Sequence, residues 1–256
     1  MDYILGRKGF TWLSARILAK EFRNQGYPFR ATTKINPKNG EVLVNWGNSG
    51  ARECKGSPLN KDIITNKFRQ LAVLKAAEID TIKVSRNLGD FTDDDYPLFC
   101  RQRIHQAGND IVIARDSDEV VNCHFYSKFE VFKKELRIHV FRVGDELLIR
   151  AFKKVAQDDA EEGKFPIRNL EHGYLFRKVS VGESLLELLD KVLITLGMDF
   201  SCVDIGISYS NHVKNYTVIE ANSAPSLINN KNSLYWYVEN IGKSKIEPWK
   251  VEPVGE

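Results

Sequence analysis

Two strands near the C-terminus, each carrying a carboxylate, constrain the fold more than any other feature of the sequence. The segment "CVDIGI" is an apolar run with one charge, Asp204, and "YTVIEANSAPSL" is a β-branched run containing Glu220 and Asn222. Because side chains alternate between the two faces of a strand, we expect Val218, Glu220 and Asn222 on one face. A lone carboxylate in an apolar strand is costly unless another group pairs with it. Asp204 therefore requires a partner elsewhere in the fold.

The spacing of these strands predicts a hairpin in which Asp204 lies opposite Glu220. Ser208 then falls opposite Tyr216, and residues 209–215 form the connecting loop. Two carboxylates and an amide oxygen would crowd one end of the sheet, where their repulsion calls for a cation. Oxygen ligands favour Mg²⁺ or Mn²⁺, and Mg²⁺ held by few protein oxygens usually works with substrate phosphates. A solvated strand end is the alternative for an isolated Glu-x-Asn pattern.

The composition is that of a globular chain without a membrane segment. With 256 residues, 43% of them hydrophobic, the chain can form one large core or two smaller ones. A net charge of +3 is too small to imply a nucleic-acid or membrane surface, so any basic site must be local. No apolar run approaches the ~20 residues of a membrane span, and the start lacks a signal-peptide core. We expect a cytoplasmic protein with no membrane partner.

The cysteines carry no metal or disulfide pattern. The chain has four, without any C-x-x-C spacing, so they are expected to be reduced thiols. The acidic triplet Asp93–Asp95 lacks the spacing of a calcium loop, which favours a solvated turn over a metal site.

The first third of the chain divides into a small unit and a following helix. A helix is predicted around Leu13–Phe22, and a strand at Val42–Val44 runs into "NWGNSG", which is either a ligand-binding loop or a simple turn. After Pro58, "NKDIITNKFRQLAVLKAAE" has helical spacing with Asn60 near its start. We place a domain boundary just before this helix.

A second hairpin is predicted in "KELRIHVFRVGDELLIRAFKK", with its turn at Gly144-Asp145. This register places His139 opposite Arg150 and Glu135 opposite Lys154. The charged face is either a binding surface for an anionic ligand or the solvent-exposed outer face of a sheet. Further along, "GESLLELLDKVLITLGMDF" predicts a helix whose leucines are core and whose end is a glycine.

Basic residues are frequent in the central part of the chain, ahead of the acidic strands. Several are expected to converge, since neutralising a triphosphate requires more positive charge than a metal ion supplies. The candidates are Arg101, Arg103, Lys128, Arg137, Arg150, Lys153, Lys154 and Arg168.

An ordered series of motifs resembles the ATP-grasp carboxylate-amine ligases, especially short phage-type members distantly similar to ribosomal-protein glutamate ligases. The series covers about residues 60–227: "NK" at the helix start, "CRQRIHQAGNDIVI", "YSKF", "KELRIHVF", "IRNLEHGYLF", "LGMDFSCVDIGI" and "VIEANSAPSL". Its most specific element is D…E-x-N-x-x-P. The chain departs from the family in its phosphate loop, where "RIHQAGNDIVI" has a single glycine instead of several.

The resemblance implies an α+β fold in which two subdomains with antiparallel sheets grip ATP, preceded by a small N-terminal α/β domain. The implied domains are 1–59 (N-terminal), 60–125 (central ATP-grasp subdomain) and 126–256 (C-terminal subdomain with the metal site). It also implies an ATP- and Mg-dependent ligase that joins a carboxylate to an amine through an acyl-phosphate and releases ADP and phosphate. The substrates could be an amino acid, a peptide or protein, or a modified nucleobase. A non-catalytic module that binds nucleotide or nucleic acid is the alternative.

The resemblance also assigns roles to individual residues. It implies metal ligation by Asp204, Glu220 and Asn222. The expected nucleotide-binding residues are Lys67, Arg101, Arg103, Lys128, Phe129 and Lys153, with Lys128 and Phe129 along the adenine pocket. The expected catalytic residues, facing the phosphates or the acyl-phosphate, are Arg137, Arg168, Asn169 and His105. No base for the amine is evident; His105, His139 and His172 are candidates, with a structural or orienting role preferred.

Overall fold

The computed structural model describes residues 2–8, 11–102, 111–156, 173–227 and 231–245. Four α-helices, twelve strands and four short 3₁₀ helices lie in these ranges. In chain order they are β1 (Asp2–Leu5), α1 (Trp12–Asn24), β2 (Phe29–Thr32), β3 (Val42–Asn45), α2 (Lys67–Ala76), β4 (Val84–Ser85), β5 (Leu98–Arg101), β6 (Ile111–Ala114), β7 (Phe125–Lys128), β8 (Lys134–Val143), β9 (Glu146–Ala156), β10 (Tyr174–Val179), α3 (Glu183–Leu196), β11 (Phe200–Ser210), β12 (Val213–Asn222) and α4 (Lys231–Lys245). Of the helices described, none has the length and apolar character needed to cross a membrane.

The strands form three sheets. A three-stranded parallel sheet has the order β2-β1-β3, with α1 connecting its first two strands. A four-stranded antiparallel sheet has the order β4-β7-β5-β6, and a five-stranded antiparallel sheet has the order β10-β9-β8-β11-β12. The predicted division into three domains stays a prediction; β7 spans the boundary proposed between residues 125 and 126.

The helix predicted around Leu13–Phe22 is confirmed as α1, which places Ala15, Leu18 and Phe22 in the core. These side chains pack with β1, β3 and α4, and with Phe141 and Phe200 at one end of the five-stranded sheet. The N-terminal unit is therefore joined to the large sheet by a shared hydrophobic core.

The helix predicted from near Asn60 begins seven residues later, at Lys67. Asn66 caps it, since its side-chain oxygen accepts a hydrogen bond from the Arg69 backbone N–H at 2.9 Å. Asn60 instead has a left-handed backbone, with φ of 58°, and is fully buried. The helical spacing of the apolar residues alone could not distinguish the two asparagines.

Asn60 joins the N-terminal unit to β11. Its side chain donates to the Phe200 carbonyl at 3.0 Å and accepts from the backbone N–H groups of Asp199 and Phe200 at 2.7 and 3.2 Å. Its own carbonyl accepts from the Asn45 side chain at 2.7 Å. An asparagine is suited to this position because it tolerates the left-handed conformation better than most residues.

Both predicted hairpins are present, with one local difference. In β8–β9, Val143 pairs with Glu146 and His139 with Arg150, as expected. In β11–β12, Asp204 pairs with Glu220, but a one-residue bulge follows and Ile205 pairs with Val218. Both strands continue to a tight turn at Asn211-His212, so the predicted seven-residue loop is wrong.

The bulge also corrects the predicted face of Val218. Val218 lies in the core beneath α2 and α3, together with its partner Ile205, whereas Glu220 lies opposite Asp204 on the other face. Because Ile219 is the extra residue, the strand changes phase between Val218 and Glu220.

The helix with the glycine end is confirmed as α3, and Gly197 follows it in a left-handed conformation with φ of 64°. Beneath α2 and α3, the inner face of the sheet contributes Leu136, Ile138, Val203 and Ile205 to the core. The opposite face of the same strands is left to the polar residues of the site.

Asp93 and Asp94 of the acidic triplet are exposed, as expected of a solvated turn, but Asp95 is not. The triplet forms a 3₁₀ helix in which Asp95 is buried and accepts hydrogen bonds from Lys83 and Lys128. The hydrogen bond from Lys83, supported by the Thr92 backbone and Lys128, holds the pKa of Asp95 well below its usual range.

Replacing Asn60 by alanine should lower the free energy of unfolding by about 2–4 kcal/mol, because the backbone groups of Phe200 lose their partners in a buried position. Urea unfolding measures this loss. Asn24→Ala, at an exposed asparagine that bonds only to Glu21, should change the value by less than about 0.5 kcal/mol. Equal losses in the two variants would show that Asn60 does not join the two units.

Candidate active site

Asp204 is the buried centre of a charged cluster on the open face of the five-stranded sheet. Arg137 lies directly across from it on β8 and donates two parallel hydrogen bonds, Nε to Oδ1 at 2.8 Å and Nη2 to Oδ2 at 2.7 Å. Lys154 on β9 places its Nζ 3.2 Å from Asp204 Oδ2 and 3.2 Å from Glu135 Oε2. Three neighbouring strands thus supply alternating charges to one buried cluster.

These contacts keep the cluster ionised. Burial alone would raise the pKa of Asp204, but Arg137 and Lys154 outweigh it and hold that pKa well below the usual range. Asp204 in turn raises the pKa of Arg137. Burial lowers the pKa of Lys154, yet Asp204 and Glu135 outweigh that effect, so its pKa is raised. All three side chains are charged at neutral pH.

Lys67, at the first position of α2, binds the other two predicted metal ligands. Its Nζ lies 3.0 Å from Glu220 Oε1, 2.6 Å from Asn222 Oδ1 and 2.7 Å from the Ala221 carbonyl. Burial would raise the pKa of Glu220, but Lys67 outweighs it, together with Arg101, and the pKa falls to about 2. The ammonium group therefore occupies a position surrounded by three oxygens.

The oxygens of Asp204, Glu220 and Asn222, called the oxygen cluster below, have the chemistry that Mg²⁺ requires. Two are carboxylates and one is an amide, which are hard ligands suited to this ion. Their convergence on cationic side chains shows that this part of the sheet attracts positive charge. Within the described ranges no group of three His, Cys, Asp or Glu side chains forms a metal site. Metal ligation by the oxygen cluster stays a prediction.

Arg101 approaches the oxygen cluster from the four-stranded sheet. Its Nε donates to Ser127 Oγ at 2.8 Å, and its guanidinium lies 5.3 Å from the ring centre of Phe99 and 5.9 Å from that of Phe125. Burial lowers the pKa of Arg101, while the negative charge of Glu220 raises it in part. Arg101 is thus fixed among aromatic rings and interacts with Glu220.

The structure separates Lys128 from Phe129. Phe129 packs on Phe99 with ring centres 5.4 Å apart, on the side of the sheet that carries Arg101. Lys128 pairs with Leu98 and turns to the opposite side, where its Nζ lies 3.0 Å from Asp95 Oδ1. The Lys128 ammonium and the Phe129 ring thus lie on opposite sides of the sheet, and the adenine pocket expected for these two side chains stays a prediction.

Lys153 is also on the other side from the cluster. It pairs with Leu136, a core residue beneath α3, whereas its neighbour Lys154 pairs on the face of Asp204. Strand alternation separates the two lysines, and the predicted hairpin register already placed Lys154 opposite Glu135. The sequence thus contained the signal for Lys154. Ser127, which holds Arg101, had no comparable signal.

Four of the predicted residues, Arg103, His105, Arg168 and Asn169, lie outside the described residues, as does His172. His139 is described and is buried, with its Nδ1 3.0 Å from the Tyr237 hydroxyl. Burial, aided by Arg137, lowers the pKa of His139 to about 4. This histidine is neutral at physiological pH, and the structural or orienting role expected for it stays a prediction.

The loops of the N-terminal unit meet the segment that follows the oxygen cluster. Gly47, in "NWGNSG", has φ of +77°, and a Cβ there would lie 2.8 Å from Ala224 Cβ and 3.0 Å from Thr11 Cγ2. Only glycine allows this close approach. The carboxyl ends of β1 and β3 therefore adjoin the chain just beyond Asn222.

The sheet orders and the position of the cluster define an ATP-grasp fold, and comparison with solved structures agrees. The chain is similar to the ATP-grasp ligase PsnB complexed with a variant of its minimal precursor, Mg and ADP (9% identity, 95% of this chain and 98% of that chain, TM-score 0.63). It is also similar to an L-amino acid ligase from Bacillus licheniformis (12%, 93% and 69%, TM-score 0.57) and to N5-carboxyaminoimidazole synthase from Aspergillus clavatus (14%, 87% and 69%, TM-score 0.57).

No protein-family model matches the sequence, and no curated protein matches it. At the identities found for the solved structures, the likeness establishes the fold.

Replacing Lys67 by methionine should raise the pKa of Glu220 from about 2 toward or above the ordinary glutamate value of about 4.3, because burial then acts without the ammonium. Carboxyl-carbon NMR titration measures the shift. Lys75→Met, at an exposed lysine of the same helix, should leave the value unchanged.

Lys67→Met and its control Lys75→Met should also differ in how their free energy of unfolding depends on pH in the acid range. Since the folded-state pKa of Glu220 is depressed, its contribution to stability is present above pH ~4.3 and is lost as the pH falls toward 2. Lys67→Met should remove this part of the pH dependence. An unshifted Glu220 in that variant would disprove the pairing.

Proposed function

We propose that the protein is an ATP- and Mg-dependent ligase that joins a carboxylate to an amine through an acyl-phosphate, releasing ADP and phosphate. The observation that carries the proposal is the oxygen cluster of the ATP-grasp fold, surrounded by Lys67, Arg137 and Lys154 and approached by Arg101. We also propose a place among the short phage-type members, on the motif series between residues 60 and 227.

Proteins of the same fold support the choice of substrates. One is complexed with ATP, one with Mg and ADP, and others are an L-amino acid ligase and a macrocyclase bound with a precursor peptide. For the present chain, ATP binding, magnesium binding and ligation belong to the proposal.

The charges of the cluster suit a metal-triphosphate. Three cations, Lys67, Arg137 and Lys154, are held by the carboxylates of Asp204, Glu220 and Glu135. Arg101, held by Ser127, adds a fourth positive charge that interacts with Glu220. In the proposed complex, Asp204, Glu220 and Asn222 would hold Mg²⁺, and the metal would neutralise phosphate charge. Lys67 then exchanges its three oxygen acceptors for phosphate oxygens. Arg101 and Arg137, oriented by Ser127 and Asp204, would donate their remaining N–H groups to oxygens on which charge develops.

The reaction follows from the chemistry of a poor electrophile. A carboxylate does not react with an amine at neutral pH, whereas its mixed anhydride with phosphate does. In the first step a carboxylate oxygen attacks the γ-phosphorus of ATP and ADP leaves. In the second, the amine attacks the acyl carbon, phosphate leaves, and the amine loses a proton. Since His139 is buried and neutral, positioning by the arginines provides the main acceleration in the described part of the site.

The reacting carboxylate is proposed to lie where the N-terminal loops meet the segment after Asn222. Ligands of parallel sheets bind at the carboxyl ends of the strands, where the strand order reverses. Here the strand order reverses between β1 and β3, because β2 lies on the other side of β1. Gly47 holds the loop after β3 against Ala224. An amino acid, a peptide or protein terminus, and a modified nucleobase amine all remain admissible.

Arg101→Ala should weaken the binding of a non-hydrolysable ATP analogue with Mg²⁺ by ~1–3 kcal/mol, the range for a hydrogen bond to a charged group. Calorimetric titration gives the affinity. Arg86→Ala is the matched control, since that guanidinium also lies over an aromatic ring, Phe68, at 4.8 Å but is exposed. A loss below ~0.5 kcal/mol for Arg101→Ala would place this arginine outside the nucleotide site.

The reaction itself is tested by oxygen transfer. Amino acids and amines are first screened in pairs for ADP release with ATP and Mg²⁺, and the active acid is then labelled with oxygen-18 in its carboxyl group. We expect labelled phosphate, and a hydroxamate when hydroxylamine replaces the amine. Glu220→Gln should abolish Mg²⁺-dependent turnover while the protein remains folded, because it removes a charged oxygen ligand.

Two outcomes would contradict the ligase mechanism. Release of AMP and pyrophosphate would indicate adenylation of the acid. Nucleotide binding without ADP release from any acid and amine would favour the non-catalytic module instead.

A further inference from the structure

The N-terminal unit carries a basic cleft that the proposed chemistry does not use. The cleft lies between α1 and β2 and has a volume of about 410 Å³. This basic cleft is lined by Trp12, Arg16, Ala19, Arg23, Arg30 and Ala31. Three of the six are arginines, and none is acidic.

The sequence builds this cleft from one stripe of α1. Trp12, Arg16, Ala19 and Arg23 follow one another at spacings of four, three and four residues, which places them on the same side of the helix. Ala19 is buried and small, so it forms a floor between longer side chains. Arg30, on β2, closes the opposite side.

The positive charge is concentrated in this unit. Residues 1–59 contain ten basic and four acidic residues, a net charge of +6, whereas residues 60–256 contain 27 basic and 30 acidic residues. Arg23 is held in place because its Nη1 donates to the Phe29 carbonyl at 2.8 Å. Arg16 and Arg30 are exposed, and among the described residues no carboxylate forms an ion pair with either. Their charge is thus available to a ligand.

Next to the cleft, β2 forms the open edge of its sheet. The strand order is β2-β1-β3, and beyond β3 the residue Leu59 makes a further parallel bridge to Val44. In the ranges that the structure describes, no strand pairs with the outer side of β2. A peptide can pair its backbone with such an edge, whereas a nucleic acid cannot. This feature favours a peptide over a nucleic acid as the anionic partner.

The cleft leads to the candidate active site. Arg23 and Trp12 are eleven residues apart on α1, a length of about 16 Å, which an extended peptide of about five residues spans. Trp12 follows Thr11, whose methyl group adjoins the Gly47 loop next to Ala224. A peptide in the cleft would therefore point one end toward the segment beyond the oxygen cluster.

We propose that the basic cleft binds an extended acidic peptide segment of the substrate, with its carboxylates on Arg16, Arg23 and Arg30 and its backbone along β2. This rests on the proposed ligase function, because it assigns the substrate to the peptide class. The segment anchors the substrate while its reacting group lies near the oxygen cluster.

Binding is tested without turnover, by fluorescence anisotropy of a fluorescein-labelled octaglutamate peptide added to the full chain. We expect saturable binding that a neutral octaglutamine peptide does not show. Arg16→Glu/Arg30→Glu should weaken it at least tenfold. The matched control, Lys38→Glu/Lys55→Glu, reverses two exposed charges of the same unit outside the cleft and should weaken it less than threefold. Urea unfolding checks that both double variants are folded.

Several results would overturn the proposal. These are an absence of binding to the wild-type protein, equal weakening by the two charge reversals, or equally tight binding of a single-stranded DNA octamer with the same arginine dependence. Calorimetric titration with the ATP analogue separates this site from the nucleotide site, since Arg16→Glu/Arg30→Glu should retain ATP affinity. If peptide binding persists but no acid and amine release ADP, the ligase proposal fails and the peptide site stands.

Discussion

The site depends on the ionised carboxylate of Asp204, which is buried in an apolar strand and held by Arg137 and Lys154. Such a charge is stable only while its partners are complete, because the cost of desolvation is offset by hydrogen bonds and opposite charge together. Its partners come from two other strands, β8 and β9. The correct register of three strands is therefore a condition for one folded, charged site, and the apolar opposite face fixes that register.

The features predicted from the sequence were mostly those set by local patterns. Periodicity identified α1 and α3, and the spacing of two strands gave the pairing of Asp204 with Glu220. The errors lie where a distant partner decides. Asn60 binds β11 instead of starting a helix, and Asp95 is buried by two lysines. Neither partner is visible in the local sequence.

The residues of the candidate site also divide into those predicted from local patterns and those that depend on distant partners. The oxygen cluster was found from spacing, because a hairpin is a local structure. Arg101 and Arg137 were two of eight basic candidates, and only the resemblance to a family gave them and Lys67 specific roles. These residues come from separate elements that only the tertiary fold brings near Glu220. Strand alternation places Lys154 on the face of Asp204 and Lys153 on the opposite face, so the nucleotide-binding role of Lys153 stays a prediction. The roles of the residues outside the described ranges remain predictions, as do the metal and nucleotide contacts.

The extra residue in β12 gives this strand two functions that regular alternation would not allow. Up to Val218 the strand supplies apolar side chains to the core beneath the helices. From Glu220 it supplies side-chain oxygens to the opposite face. Before Ile219 the even-numbered position Val218 faces the core, whereas after it the even-numbered position Glu220 faces the site. Alignments that track only alternating hydrophobicity would therefore misplace one half of this strand by one position. The single extra residue thus separates the part of β12 that packs in the core from the part that carries the oxygens of the proposed site.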